Sequence, residues 1–375
     1  MTVRTNEIES LDDFDARLAG ITSLSGWFVQ SVDLTERGEV LRKVQVTGAV
    51  FLGCLFDEAT EASLRARGAM LFPNLPHLPF DPYRAGLYDA DELYGHDDGR
   101  TLLTGLPYAE SRDAEIYAWA HDAHLHHTLE TSLAIALHDH SITDALDEAT
   151  DHLDPAAVVG VMGGHAVRRG EPAYRDAMDL GAGLTDAGRT VLTGGGPGAM
   201  EAANLGAYLS PYGVTAREAA AELLAAAPSF APSIDVWARA AFEVRQRWRP
   251  DGAGHSIGIP TWFYGHEPPN AFATEVAKYF TNALREDTLL ARCRGGIVYL
   301  PGAAGTVQEI FQAVTENYYA AVVSDVAPLV LVDREHWTRR LPAWPLLEAL
   351  GEGRTMGQRL HLVDSIDEAL EVLVR

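Results

Sequence analysis

The chain is poor in cysteine. Two are present among 375 residues, Cys54 and Cys293, far apart and in apolar surroundings. They read as buried, reduced thiols rather than as a disulfide framework. Long hydrophobic runs are also missing, and nothing approaches the roughly 18 apolar residues of a membrane-spanning helix. The opening MTVRTNEIES has no apolar core of the kind a secretory signal carries, so a cytoplasmic protein is expected. Basic residues are scarce: Lys and Arg number 29 against 53 Asp and Glu, for a net charge of −24. Such a surface opposes non-specific binding to nucleic acid or to an anionic membrane. It also repels small anions at long range, so any phosphate site must be compensated locally by amides or arginines.

What remains is a globular composition, 47% hydrophobic and 22% charged, in a chain long enough for two domains. From about residue 155 the pattern alternates. AAVVGVMGG is an apolar run ending in glycines, PAYRDAMDLGAGLTDAG has helical spacing, and TVLTGGG is a second buried strand. HSIGIPTWFYG, GGIVYLPG and APLVLVD read as further strands, with helices between and after them. This alternation predicts an α/β fold over 151–375, a Rossmann-like parallel sheet with helices on both faces. A helical insertion is expected over 209–250. Its basic end, Arg245, Arg247 and Arg249, is either a solvated helix face or a lid over a phosphate. Residues 1–150 form a mixed N-terminal accessory domain whose role the sequence does not reveal, with no repeat of fixed period. His121, His124, His126, His127, His138 and His140 crowd one helical stretch. No cysteine or HExxH spacing accompanies them, so they read as polar surface or interface histidines, and no metal is expected.

Two loops carry chemistry. In LTGGGPGAMEAANLGA a strand ends in Gly194, Gly195 and Gly196, and Pro197 and Gly198 open a helix. Glycines let the backbone approach an anion, and the helix start offers free N–H groups. Gly194, Gly196 and Ala199 satisfy a dinucleotide fingerprint, but the acid expected at the end of the next strand is missing. In YLPGAAGTVQE, Gly302, Ala303, Ala304, Gly305 and Thr306 form a second anion-binding loop. Glu309 follows one helical turn later, where a bare phosphate loop needs no carboxylate. It makes sense if bond cleavage beside the phosphate builds positive charge on a sugar ring.

GGGPGAMEAANLGA followed by PGAAGTVQE resembles the Lonely Guy family, often labelled lysine decarboxylase, over roughly residues 155–335. GHEPPNAF, residues 265–272, resembles a segment of its long bacterial members, the nucleotide 5′-monophosphate nucleosidases. The resemblance implies a Rossmann-like fold, hydrolysis of the N-glycosidic bond of nucleoside 5′-monophosphates to free base and ribose 5-phosphate, no cofactor, and a homodimer or dimer of dimers. Glu309 and an arginine then become the catalytic pair. Arg285 matches best, with Arg292 and Arg294 as competitors, although an ungapped alignment places Glu286 there. Glu201, Asn204, Glu267 and Asn270 become candidates for nucleotide contacts such as ribose hydroxyls. Ala303 stands where the family motif has glycine and requires a negative φ or some strain. A cytokinin riboside 5′-monophosphate phosphoribohydrolase and a non-catalytic nucleotide sensor remain alternatives. The missing acid disfavours a dinucleotide-dependent oxidoreductase.

Overall fold

A computed structural model describes residues 6–122, 128–263 and 267–374. The chain forms two compact units, Met1–Leu87 with Asp122–Asp147, and Tyr88–His121 with Glu148–Arg375. The expected boundary at 150 therefore needs one amendment, because 88–121 folds with the C-terminal unit. Its anchors explain why. Tyr88 exchanges two backbone hydrogen bonds with Val276. Asp113, fully buried, accepts from Lys278 Nζ at 2.5 Å and from Trp262 Nε1 at 2.8 Å.

The first unit contains a parallel sheet in the order β1 (Asn6–Ile8), β2 (Trp27–Gln30), β3 (Val50–Leu52) and β4 (Met70–Phe72). Register partners lie 21, 22 and 20 residues apart along the chain, so the unit is built of stacked coils. Each coil adds an apolar strand and a short helix, packed around Ile8, Phe14, Val29, Leu41, Phe51 and Leu64. Before β2, β3 and β4 stand Gly26, Gly48 and Gly68, with φ of 76°, 77° and 83°. They stack through Gly26 N–H to Gly48 O and Gly48 N–H to Gly68 O, both 3.0 Å. The sequence reading missed this near-repeat. His138, expected at a surface, is buried in this unit, edge-on to Phe80. His124, His126 and His127 lie outside the described residues.

The second unit holds a seven-stranded sheet, every adjacent pair parallel, in the order β11-β10-β9-β5-β6-β7-β8. The strands are β5 (Val158–Met162), β6 (Thr190–Thr193), β7 (Ser256–Gly258), β8 (Glu275–Val276), β9 (Gly296–Tyr299), β10 (Leu329–Val332) and β11 (Leu360–Val363). Strands β5, β9 and β10 read as unbroken apolar runs, as expected of a parallel sheet covered on both faces. From β5 the chain winds outward through β6, β7 and β8, then returns to β9 on the other side of β5 and winds the opposite way. That reversal opens a crevice at the carboxyl ends of β5 and β9. The expected insertion occupies the β6–β7 connection as helices Val214–Ala225 and Ile234–Arg247.

Candidate active site

Three glycine-bearing loops meet at the reversal. Gly164 N–H donates to Pro301 O, and Ala199 N–H donates to Gly164 O, both at 3.1 Å. The loops after β5, β6 and β9 are thus joined by backbone alone. Gly198, with φ of 75°, is the tightest point. A Cβ there would lie 2.5 Å from Gly164 O and 2.7 Å from the His165 carbonyl, so no side chain fits.

These loops wall a cavity of about 850 Å³, at the upper end of small-molecule sites. One wall is the segment 301–306 and the start of the helix Ala304–Tyr319. Ala303 caps that helix with φ −127° and ψ −145°, so the alanine replaces the expected glycine without left-handed strain. No side-chain cap is present there among the described residues. The first-turn N–H groups and the positive end of the helix dipole are therefore offered to the cavity, a ready anion site.

One turn along, Glu309 meets Arg285. Arg285 is held by Nε to Ile259 O at 2.7 Å and Nη2 to Gly194 O at 3.3 Å, and Nη1 reaches Glu309 Oε1 at 3.4 Å. The guanidinium thus ties the end of β7, the turn after β6 and the carboxylate together. Arg292 and Arg294 bond instead to the carbonyls of Thr288 and Asp325, and neither lines the cavity. Glu286 lines it beside Arg285, 3.9 Å from Nη1, and accepts from Asn282 Nδ2 at 2.8 Å and from Gln308 Nε2. Burial pushes the Glu309 carboxyl up to about 7, Arg285 pulls the other way, and Glu286 adds to the rise. Glu309 is therefore poised to exchange a proton near neutrality.

Of the other expected contacts, Gly194, Gly196, Gly302, Ala303, Ala304, Gly305, Thr306 and Glu267 do line the cavity. Gly195 and Gly198 stand behind its wall. Three polar residues are corrections, because buried partners claim them. Glu201 is fully buried in an ion pair with Arg169, whose guanidinium lies 4.5 Å above the Trp237 ring and donates to Trp237 O at 2.8 Å. Asn204 accepts from Thr193 Oγ1 at 2.6 Å and donates to Ser256 Oγ at 3.0 Å. Asn270 braces the glycine turn, its N–H to Gly195 O at 2.8 Å and its Nδ2 to Gly196 O at 3.2 Å. The basic end of the insertion forms no lid: Arg245 pairs with Asp91 and donates to Ala271 O, and none of the three arginines lines the cavity. Sequence reasoning missed His165, Gln308 and His336. The MGGH that ends β5 was the available signal, since it repeats the strand-then-glycine pattern of the other two loops. His336 also lines the cavity, and its Nε2 has no hydrogen-bond partner among the described residues.

Residues 235–375 match the family model described as possible lysine decarboxylase. This is the family that the two glycine motifs resemble, and the match spans Arg285, the 301–306 loop and Glu309. No curated protein matches the chain. Among solved structures it is similar to the molybdenum cofactor carrier protein of Chlamydomonas reinhardtii, at 16% identity over 58% of this chain and 98% of that one, TM-score 0.35. The molybdenum cofactor binding protein of Rippkaea orientalis follows at 19% identity, 57% and 93% coverage, TM-score 0.32. The structural-genomics target TM1055 aligns at 19% identity, 57% and 96% coverage, TM-score 0.33. These likenesses are too loose to bear on the cavity. No helix among the described residues is long and apolar enough to cross a membrane.

Proposed function

We propose that the lysine-decarboxylase-like site hydrolyses the N-glycosidic bond of nucleoside 5′-monophosphates, releasing free base and ribose 5-phosphate. The observation that carries this is the placement of Glu309 against Arg285, one helical turn beyond an uncapped helix N-terminus in the same cavity. The 5′-phosphate sits on the 302–306 amides, which supply the local compensation that a chain of net charge −24 requires. The ribose then lies beside Glu309. As the C1′–N bond breaks, its electron pair leaves with the base and positive charge develops on C1′ and the ring oxygen. Ionised Glu309 stabilises that charge and takes a proton from the water whose oxygen bonds to C1′. Arg285 holds the carboxylate in place and faces the incoming substrate.

The test is chromatography of AMP, GMP, CMP and UMP after incubation with purified protein. Free base with ribose 5-phosphate is expected; intact nucleotide with measurable binding overturns hydrolysis in favour of a sensor. We place the protein in the cytoplasm, in keeping with two buried free thiols. It acts as a homodimer or dimer of dimers, because Tyr319, Val322 and Leu346 expose apolar surface near the end of the Glu309 helix. Light scattering that finds only monomer at micromolar concentration removes that assembly.

A further inference from the structure

The proposed chemistry leaves part of the cavity lining unexplained. His165 and Glu267 stand there as a pair, Nδ1 to Oε1 at 3.5 Å, both partly exposed and both lining the cavity. Neither serves the phosphate loop or Glu309. Nor are they folding anchors, since their side chains retain 56% and 38% exposure.

Their spacing from the catalytic end follows from the glycine turn. Gly194 and Gly196 face the cavity on either side of Gly195, whose φ of 70° makes the turn. A Cβ on Gly194 would meet Arg285 Nη2 at 2.6 Å and Met200 Sδ at 2.8 Å. A Cβ on Gly196 would meet Met200 Cε at 3.1 Å and Glu267 Oε2 at 3.5 Å. Arg285 and Glu267 thus flank a floor made of two bare glycines and one methionine. Met200 lies over both glycines, and its thioether, which lines the cavity, packs well against a flat aromatic heterocycle. With the glycosidic carbon at Glu309, the far edge of the base comes to Glu267 and His165.

That edge has a distinct chemistry. A carboxylate accepts only, and the imidazole beside it can donate. Acceptor beside donor is the complement of an amino group beside an unprotonated ring nitrogen, which adenine and cytosine carry. Hypoxanthine and uracil present a carbonyl beside N–H instead, which sets oxygen against carboxylate. Resting on the nucleosidase reading, we propose that Glu267 and His165 form the base-reading edge of the site and select 5′-monophosphates of adenine and cytosine, whose amino group adjoins an unprotonated ring nitrogen.

The experiment compares kcat/KM for AMP with IMP and for CMP with UMP, in the wild type, Glu267→Ala and Glu267→Gln. Wild type is expected to favour each amino-bearing partner by about tenfold or more, the scale of one well-placed pair of base contacts. Glu267→Ala should bring both ratios near one, while Glu267→Gln, which keeps an acceptor oxygen, should retain most of the preference. Equal rates for AMP and IMP in the wild type, or unchanged ratios in Glu267→Ala, overturn the proposal and leave the nucleosidase reading intact. If no nucleotide is cleaved, that reading fails and calorimetric binding of AMP and IMP decides this one. A wild-type preference for AMP that Glu267→Ala abolishes sustains it; equal binding of the two, or binding of neither, ends it.

Discussion

Both units are parallel sheets with helical crossovers, and each has a cavity at its strand ends, but among the described residues only the larger one, in the second unit, gathers three glycine-bearing loops. The difference lies in strand order. In the first unit each strand pairs with its successor, so every crossover runs the same way and consecutive coils seal against each other. In the second unit the winding reverses between β5 and β9, and the loops after these two strands, joined by Gly164 N–H to Pro301 O, border the crevice. Glycines follow the same division. In the coils, Gly26, Gly48 and Gly68 stack on one another and serve the backbone turn. At the reversal, Gly164 and Gly198 let whole loops touch and leave an adjoining space for a ligand. The same residue type therefore marks repetition in one sheet and a site in the other, and topology decides which.

The largest expected effect tests whether the second unit depends on its buried charge. Glu201→Ala strands Arg169 in a dry interior and should cost about 3–5 kcal/mol, a fall in melting temperature on the order of 10 °C by calorimetry. A change below 1 kcal/mol shows the pair to be dispensable. Next comes Glu309→Gln. Turnover of AMP should drop about 10²-fold or more while nucleotide binding stays within a few-fold, because the phosphate amides are untouched. Loss of binding instead assigns the carboxylate to the ground state and removes the proposed division between loop and side chain.

Glu309 also ties activity to stability. Folding raises its pKa from 4.5 to about 7, so the folded chain holds this proton more tightly than the unfolded one. Its contribution to stability is complete below the unfolded value and is lost as pH rises through the folded value. Wild-type kcat/KM should decline below about pH 7, as the active carboxylate is protonated. Above that pH, Glu309→Gln should be more stable than wild type by on the order of 3 kcal/mol, and the two should converge near pH 4. Denaturant melts at pH 4 and pH 8 check both signs, and equal differences at the two values refute the linkage.

The smallest effect belongs to the coils. Gly48→Ala forces a side chain into φ of 77° and should cost roughly 1–2 kcal/mol. Turnover should be unchanged, since the residues that line the crevice all belong to the second unit. A tenfold loss of kcat would break the functional contrast between the two sheets.

Much of this was legible in the sequence where the signal is local. Strand–helix alternation after 155 and glycines at strand ends depend on neighbouring residues, as does the four-residue step from Gly305 to Glu309. The step fixes that carboxylate just beyond the first turn of its helix whatever surrounds it. Glu201 was misread because its fate depends on Arg169, 32 residues away and buried with it. In sequence, a helix-start glutamate beside a glycine turn looks the same whether it faces a ligand or an arginine. Asn270 shows the same ambiguity: it was expected at the nucleotide and instead holds the turn that forms the floor. The coils escaped notice because their shared signature is one glycine and three apolar residues, too little to stand out at unequal spacing. Segment 88–121 was misplaced because Asp113 gives no sign in sequence that Lys278 will bury with it.

The contact of Gly198 with Gly164 and His165 bears on how such a chain can change over generations. Where loops interlock without side chains, nearly every substitution collides, so the junction of Gly198 with Gly164 and His165 is closed to drift. The side chains of Glu267, His165 and His336 border the same cavity but are outside that lock. New ligands are therefore reachable by altering the rim one residue at a time, while the interlocked loops are inherited unchanged.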